Sequence, residues 1–171
     1  MRLESLEDVA VWLLAFEQGW LNTYHETGEM DWSLYKRPTN QHAPIHSAIV
    51  LSQSRLGLIC SGGFYLPASQ APFDDENDLG DYTLRLIPSN VDFADLAIAH
   101  THYDHAAANE DRQVLLPLRH LQEMVTEGLI GEVAPHAISF SGYLPMAHRT
   151  VTELIPNEVA AAKQATWDAA L

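Results

Sequence analysis

The chain has 171 residues, 47% hydrophobic and 19% charged, which suits one globular domain that offsets its folding entropy by burial and argues against a disordered chain. Nine Lys and Arg stand against 23 Asp and Glu, a formal net charge of −14, so phosphate backbones and anionic bilayers are repelled and neither nucleic acid nor membrane is an expected partner. A lone cysteine, Cys60, closes no internal disulfide, no run reaches the roughly 20 apolar residues of a membrane helix, and Met1 opens onto an acidic segment instead of a basic leader; the expectation is a soluble cytoplasmic protein.

In chain order, Ser5 and Asp8 have capping-box spacing ahead of Leu6, Val9, Ala10, Leu13, Leu14 and Phe16, predicting a helix over 1–24. Residues 25–46 hold Pro38 and Pro44 and no sustained period, which predicts an irregular connection. From 47 to 171 short aliphatic runs alternate with helical patterns. Ala48–Leu51, Leu56–Cys60, Tyr82–Ile87, Leu96–His100 and Ile138–Ser141 read as strands, several of them buried on both faces. Leu118, Leu121, Met124 and Val125 share one face of a helix between Pro117 and a Gly128 cap, and helical pattern resumes at Ala147 and again near Asn157, with Pro156 as a kink or a start. Interleaved strands and helices predict an α/β fold, a layered and mainly parallel sheet flanked by helices in a single domain with its core in 47–171. The run Phe73–Asp78, with four carboxylates, reads as a solvated loop.

The densest polar cluster is His100-Thr101-His102-Tyr103-Asp104-His105. It follows an apolar strand directly, where open α/β sheets place their ligand crevices. Alternation along an extended chain would turn His100, His102 and Asp104 to one side, and with His105 they form a candidate catalytic set or the ligands of a divalent metal. Tyr103, Asn109, Asp111 and Arg112 are candidate substrate contacts. Among other groups, Arg85, Arg112 and Arg149 are candidates for holding a carboxylate, although ion pairing is the default for each in so acidic a chain. Ser61-Gly62-Gly63 marks a turn whose amides are a weak candidate for anion binding. Cys60, at the end of an apolar strand, reads as a buried small hydrophobe. Trp12, Trp20, Trp32 and Trp167 lie in or beside helices and read as core or interface. No nucleotide-cofactor signature occurs.

Two resemblances bear on function. The H-x-H-x-D-H spacing of His100 to His105 resembles the metal motif of metallo-β-lactamase-fold hydrolases, which implies a metal-dependent hydrolase or lyase; His120, His136 and His148 are the further imidazoles available. A longer resemblance runs through His102-Tyr103-Asp104-His105, Asn109-Glu110-Asp111, Leu116-Pro117-Leu118, Glu127 to Gly131 and Ala134 to Tyr143. It is similar to the selenoprotein B family of glycine, sarcosine, betaine and D-proline reductases, and weaker similarity extends back through Ser54 to Gly63, Phe73 and Gly80 to Pro88 and forward through Leu154 to Val159.

That resemblance implies an oxidoreductase component that cleaves a carbon–nitrogen bond in a small amine or amino-acid-like substrate, working with a pyruvoyl-bearing partner and an external thiol or selenol. The family's redox motif lies downstream of the matched block, and Ala165–Leu171 resembles the approach to the strand before it. The thiol is therefore expected from a further segment or a partner subunit. A non-catalytic subunit of a complex is the third reading, suggested by the long first helix, and a homo-oligomer is the expected assembly.

Overall fold

The computed structural model describes residues 8–37, 41 and 48–171, and the chain divides into two compact units, Met1–Ser47 and Ala48–Leu171. In the first, α1 (Val9–Phe16) passes through a π turn (Glu17–Leu21) into α2 (Asn22–Thr27). The helix thus runs three residues beyond the expected Tyr24, and Gly28 closes it at φ 72°, a conformation glycine adopts without a Cβ penalty. Ser5 of the expected capping box lies outside the described residues. Aromatic residues at fourfold spacing form a ladder: Trp12 stacks on Phe16, Phe16 on Trp20 and Trp20 on Tyr24, with centroids 5.5–5.8 Å apart. Tyr35 closes edge-on against Phe16 and Trp20. The tryptophans here are packing residues, as expected from their place in a helical pattern. Val11 and Leu14 remain exposed, because VAVWLLAF is apolar at every position and has no polar face to offer.

The second unit holds the α/β layering. Its strands are β1 (Arg55–Gly57), β2 (Ile59–Cys60), β3 (Phe64–Tyr65), β4 (Arg85–Pro88), β5 (Ala97–Ile98), β6 (Glu132–Val133), β7 (His136–Ser139) and β8 (Ala169–Ala170). Its helices are α3 (Ala106–Glu110), α4 (Leu118–Thr126), α5 (Ala147–Arg149) and α6 (Ile155–Gln164). β1 lies between β6 and β8, parallel to both, and β2 runs parallel to β7. Backbone bonds through Leu58, Ala134→Leu56 and Ile138→Leu58, carry the pairing from β1–β6 into β2–β7. β4 is antiparallel to β7, and β3 to β5. Among the described residues three pairings are parallel and two antiparallel, in three small sheets that give the unit its parallel and mixed α/β layering.

Leu58, Ile87, Leu116, Leu118, Ile130 and Ala137 are buried together beneath the sheet, each large aliphatic contributing about 2 kcal/mol by burial. One expected strand is absent. Ala48–Leu51 leads into a 3₁₀ turn at Leu51–Gln53, with Ile49 and Val50 exposed; four apolar residues carry no period that separates strand from coil, and pairing starts only at Arg55. At the other end α5 widens into a π turn (Thr150–Leu154) and α6 follows with Pro156 as its second residue. The proline sits where a missing N–H costs least, so the chain stays helical instead of kinking.

Candidate functional site

Three chain segments meet beyond the carboxyl ends of β2, β7 and β5. Ser61 and Gly62 leave β2; Gly142 and Tyr143 follow β7, β2's parallel partner; and His100, His102 and Tyr103 follow β5. With Leu115 they line a cavity of about 420 Å³. This is the position at which parallel sheets form ligand crevices, because the chains diverge there to start their crossovers. Gly62 and Ser141 are bridged, and Gly142 N–H donates to the Ser61 carbonyl at 3.0 Å, so the two walls are tied at the mouth.

His100 is 6% exposed. Its Nδ1 accepts the His102 backbone N–H at 3.1 Å, which places the neutral ring's proton on Nε2. Burial, with the neighbouring His102 and His105 rings adding to it, pulls its pKa below the ordinary 6.5, against an opposing pull from Asp75. The ring is thus a neutral Nε2–H donor at pH 7. A group whose folded pKa is depressed adds stability that is full above its unfolded value and lost as pH falls through the folded one. Imidazole NMR is therefore expected to show a His100 midpoint below 6.5 and a fall in unfolding free energy on acidification across that window; a midpoint above 6.5 would contradict the burial argument.

His102 stacks face-on with Tyr143, centroids 3.7 Å apart and planes within 6°, and its Nδ1 meets Thr101 Oγ1 at 3.2 Å. Tyr103 packs edge-on against His100 at 4.9 Å and donates its hydroxyl to the Gly62 carbonyl at 2.9 Å; burial pushes its pKa up. The wall is thus three polar aromatic rings and one buried imidazole.

The remaining expected site residues lie elsewhere. Extension ends at Ile98, and although His102 still stands 5.8 Å from His100 ring to ring, Asp104 does not join them in the cavity wall. Asp104 turns its carboxylate to the Ala106 N–H at 2.9 Å, at the entry to α3, and His105 packs on Tyr103 at 4.4 Å with its Nε2 buried and unbonded among the described residues. Among those residues no group of three or more His, Cys, Asp and Glu side chains is placed to hold a metal, and His100, His102, Asp104 and His105 do not converge as a ligand set. Asn109, Asp111 and Arg112 line a separate cavity of about 340 Å³ with Phe93 and Arg119. There Arg112 bonds Asn109 Oδ1 and the Ala108 carbonyl, and Asp111 caps Gln113.

Two other arginines are structural. Arg85 bonds the carbonyls of Ala71, Pro72 and Leu84 and lies 4.4 Å over Phe73. Arg149 pairs bidentately with Glu153 at 2.8 Å and covers Tyr82. The Ser61-Gly62-Gly63 turn is no anion nest, since Gly62 N–H donates to Cys60 Sγ and Gly63 N–H to the Phe140 carbonyl. Cys60 is buried, and burial pushes its thiol pKa up, as its place in an apolar run suggested.

The acidic segment after Phe73 does more than face solvent. Its Asp75 carbonyl accepts the Thr101 hydroxyl at 2.8 Å, and Gly80, at φ 79°, lets the loop press on the Tyr143 backbone, where a Cβ would sit 2.4 Å from the Tyr143 carbonyl. Asp75 and Asp78 are close enough to act on His100 and Tyr143 respectively. From the sequence, Ser61 and Gly62 stand out only as a turn with a weak anion-binding prospect, and Leu115, Gly142 and Tyr143 are not selected as site residues; the available signal is that Ser61-Gly62-Gly63 and Gly142-Tyr143 each follow the end of a buried strand.

Comparison with known proteins places these elements. Residues 29–160 match the family described as glycine/sarcosine/betaine reductase selenoprotein B. Over 92 residues the chain is 27% identical to the D-proline reductase subunit gamma of Acetoanaerobium sticklandii, a match covering 54% of this chain and 36% of that protein. The chain thus spans about a third of the length of that relative. No solved structure matches. The family match takes in every residue lining the 420 Å³ cavity, and the chain belongs to the glycine/sarcosine/betaine reductase selenoprotein B family.

Proposed function

We propose that this chain supplies the substrate-binding cavity of an amino-acid reductase that cleaves a carbon–nitrogen bond in a small amine or amino-acid-like substrate. The observation that carries it is the strand-end cavity of His100, His102, Tyr103 and Tyr143 within the segment matched to the reductase family. Its walls suit a cationic amine. Aromatic faces attract ammonium groups, Asp75 and Asp78 act on the His100 and Tyr143 rings, and among the described residues no Lys or Arg lines the cavity. His100 Nε2–H provides a neutral donor for an oxygen of the same substrate.

The reaction breaks C–N, forms one C–H and one N–H bond, and takes two electrons and two protons from a dithiol or selenol–thiol pair that becomes oxidised. Cys60 is the single cysteine of the 171 residues, buried and held as the thiol, so the reductant belongs to a partner subunit or to another segment. Alkylation of native protein is expected to leave Cys60 unmodified until denaturant is added, and Cys60→Ala to cost about 1 kcal/mol of stability without changing turnover in the reconstituted enzyme.

The test uses the purified chain with glycine, betaine and D-proline in turn. Ring signals of His100, His102 and Tyr143 are expected to shift on binding while exposed His120 stays fixed, and addition of a thiol-bearing reductase subunit with dithiothreitol is expected to release ammonia from glycine and trimethylamine from betaine and to open the D-proline ring to a linear amino acid. Binding without any thiol-driven C–N cleavage, across all three substrates and partners, would refute the reductase reading.

A further inference from the structure

Two glycines line the cavity, and they differ in what surrounds them. A Cβ on Gly62 would meet Cys60 Sγ, Leu115 and Phe64, each at 3.2 Å, all side-chain atoms of the surrounding wall. A Cβ on Gly142 would instead stand 3.1 Å from the Ser61 carbonyl and 3.4 Å from His100 Nε2. Gly142 has no left-handed φ, so its backbone does not demand glycine. What a Cβ would change is the slot, crowding Ser61 and standing in van der Waals contact with the edge of the His100 ring.

That edge is the reactive one. Nδ1 is occupied by the His102 N–H, which leaves Nε2–H as the ring's only unspent polar group, and no protein acceptor meets it among the described residues. The atom is not among the sealed, unpartnered ones of the described residues; it opens onto the cavity, where water or a ligand can accept its hydrogen bond. Both Gly142 and His100 line the same cavity, so the slot opens onto the space a ligand occupies.

We propose that Gly142 is a specificity-determining residue: its bare backbone keeps open the slot through which His100 Nε2–H donates to a carboxylate oxygen of the bound molecule. This rests on the cavity being the substrate site, but the access it describes is a property of the chain alone. A methyl group in the slot would cover the ring edge and leave the cavity floor, the His102–Tyr143 stack and Tyr103 in place. The residue thus selects for ligands whose carboxylate lies at that edge.

Acetate serves as the probe, with ¹⁵N-labelled imidazoles read by NMR in the wild-type chain and in Gly142→Ala. Three results are expected. The wild-type His100 spectrum shows the Nε2–H tautomer; acetate shifts the His100 Nε2 signal and leaves His120 unmoved; and in Gly142→Ala the acetate affinity falls about tenfold, or about 1.4 kcal/mol, while far-UV circular dichroism is unchanged. A His100 ring carrying its proton on Nδ1, or acetate acting equally on both proteins or on neither, overturns the proposal. The tautomer and the acetate response of wild type stand even where the variant folds poorly. Acetate access without binding of glycine, betaine or D-proline would sink the reductase reading and leave the role of Gly142 intact.

Discussion

His100→Ala is expected to lower turnover of the reconstituted reductase about a hundredfold or more, the scale of losing one positioned donor at a reacting centre, and to destabilise the chain as well. Two effects are combined in that substitution. Alanine removes the Nε2–H that faces the cavity, and it also removes the acceptor of the His102 N–H at 3.1 Å, leaving a partly buried backbone group unpaired at a cost of about 1–3 kcal/mol. His100→Asn separates them. An asparagine amide oxygen reaches the place of Nδ1 and not that of Nε2, so it restores the backbone bond and withholds the donor. The Asn variant is expected to unfold within about 1 kcal/mol of wild type while its turnover stays as low as that of His100→Ala. Urea unfolding and thiol-driven amine release, measured on the same preparations, check both halves. Recovery of turnover in the Asn variant would assign His100 a purely structural role.

The position of His100 was legible because two signals coincide there: an apolar strand ends, and a run of polar rings begins. Its companions were harder to place. Alternation to Asp104 assumed continued extension, but the chain leaves the strand at Ile98, Thr101 is drawn to the Asp75 carbonyl, and Asp104 is taken by the first turn of α3. The Asp104 bond is local and the Thr101 bond reaches 26 residues back along the chain, and together they override a two-residue period. Asn109, Asp111 and Arg112 look near the cluster in sequence, yet helix α3 and the turn after it carry them to another cavity.

Tyr143, 41 residues after His102 in the chain, reaches it because β2 pairs with β7 and β3, next along the chain, pairs with β5. Buried aliphatic runs announce that such pairing exists and say nothing of which strands are neighbours. The acidic loop was legible as a loop, since four carboxylates cannot share a packed interior. Its contact with the site was hidden, because it depends on Gly80 and backbone carbonyls, which carry no distinguishing side chain. The arginines illustrate the same limit: Arg85 and Arg149 have the chemistry to hold a carboxylate, and their use on carbonyls, a glutamate and aromatic faces follows only from the tertiary neighbours.

Gly63→Ala is expected to destabilise the chain by about 3 kcal/mol, the sum of a left-handed backbone at an alanine and a forced displacement of packed atoms, and to abolish ligand binding at the cavity. Gly63 has φ 70°, and a Cβ there would stand 2.5 Å from the Ala99 carbonyl and 2.9 Å from His100 Cβ. Neither neighbour is free to yield. The Gly63 carbonyl accepts the Ala99 N–H at 3.0 Å, and the pairing continues into Phe64 opposite Ile98, so moving Ala99 breaks the short antiparallel pair that delivers His100 to the cavity. Gly128→Ala isolates this contribution. Gly128 has φ 73° with nothing within 4 Å of its would-be Cβ, so the same substitution there carries the backbone strain alone, about 1 kcal/mol, and should leave binding untouched. The comparison reads the steric coupling between β3 and β5 directly: urea unfolding gives the difference between the two variants, and acetate-induced shifts of the His100 ring report whether the donor still faces the cavity. If Gly63→Ala were as mild as Gly128→Ala and the His100 signal still responded, the close approach at Gly63 would not be what positions the imidazole, and the site would owe its geometry to the Tyr103 and Tyr143 contacts instead.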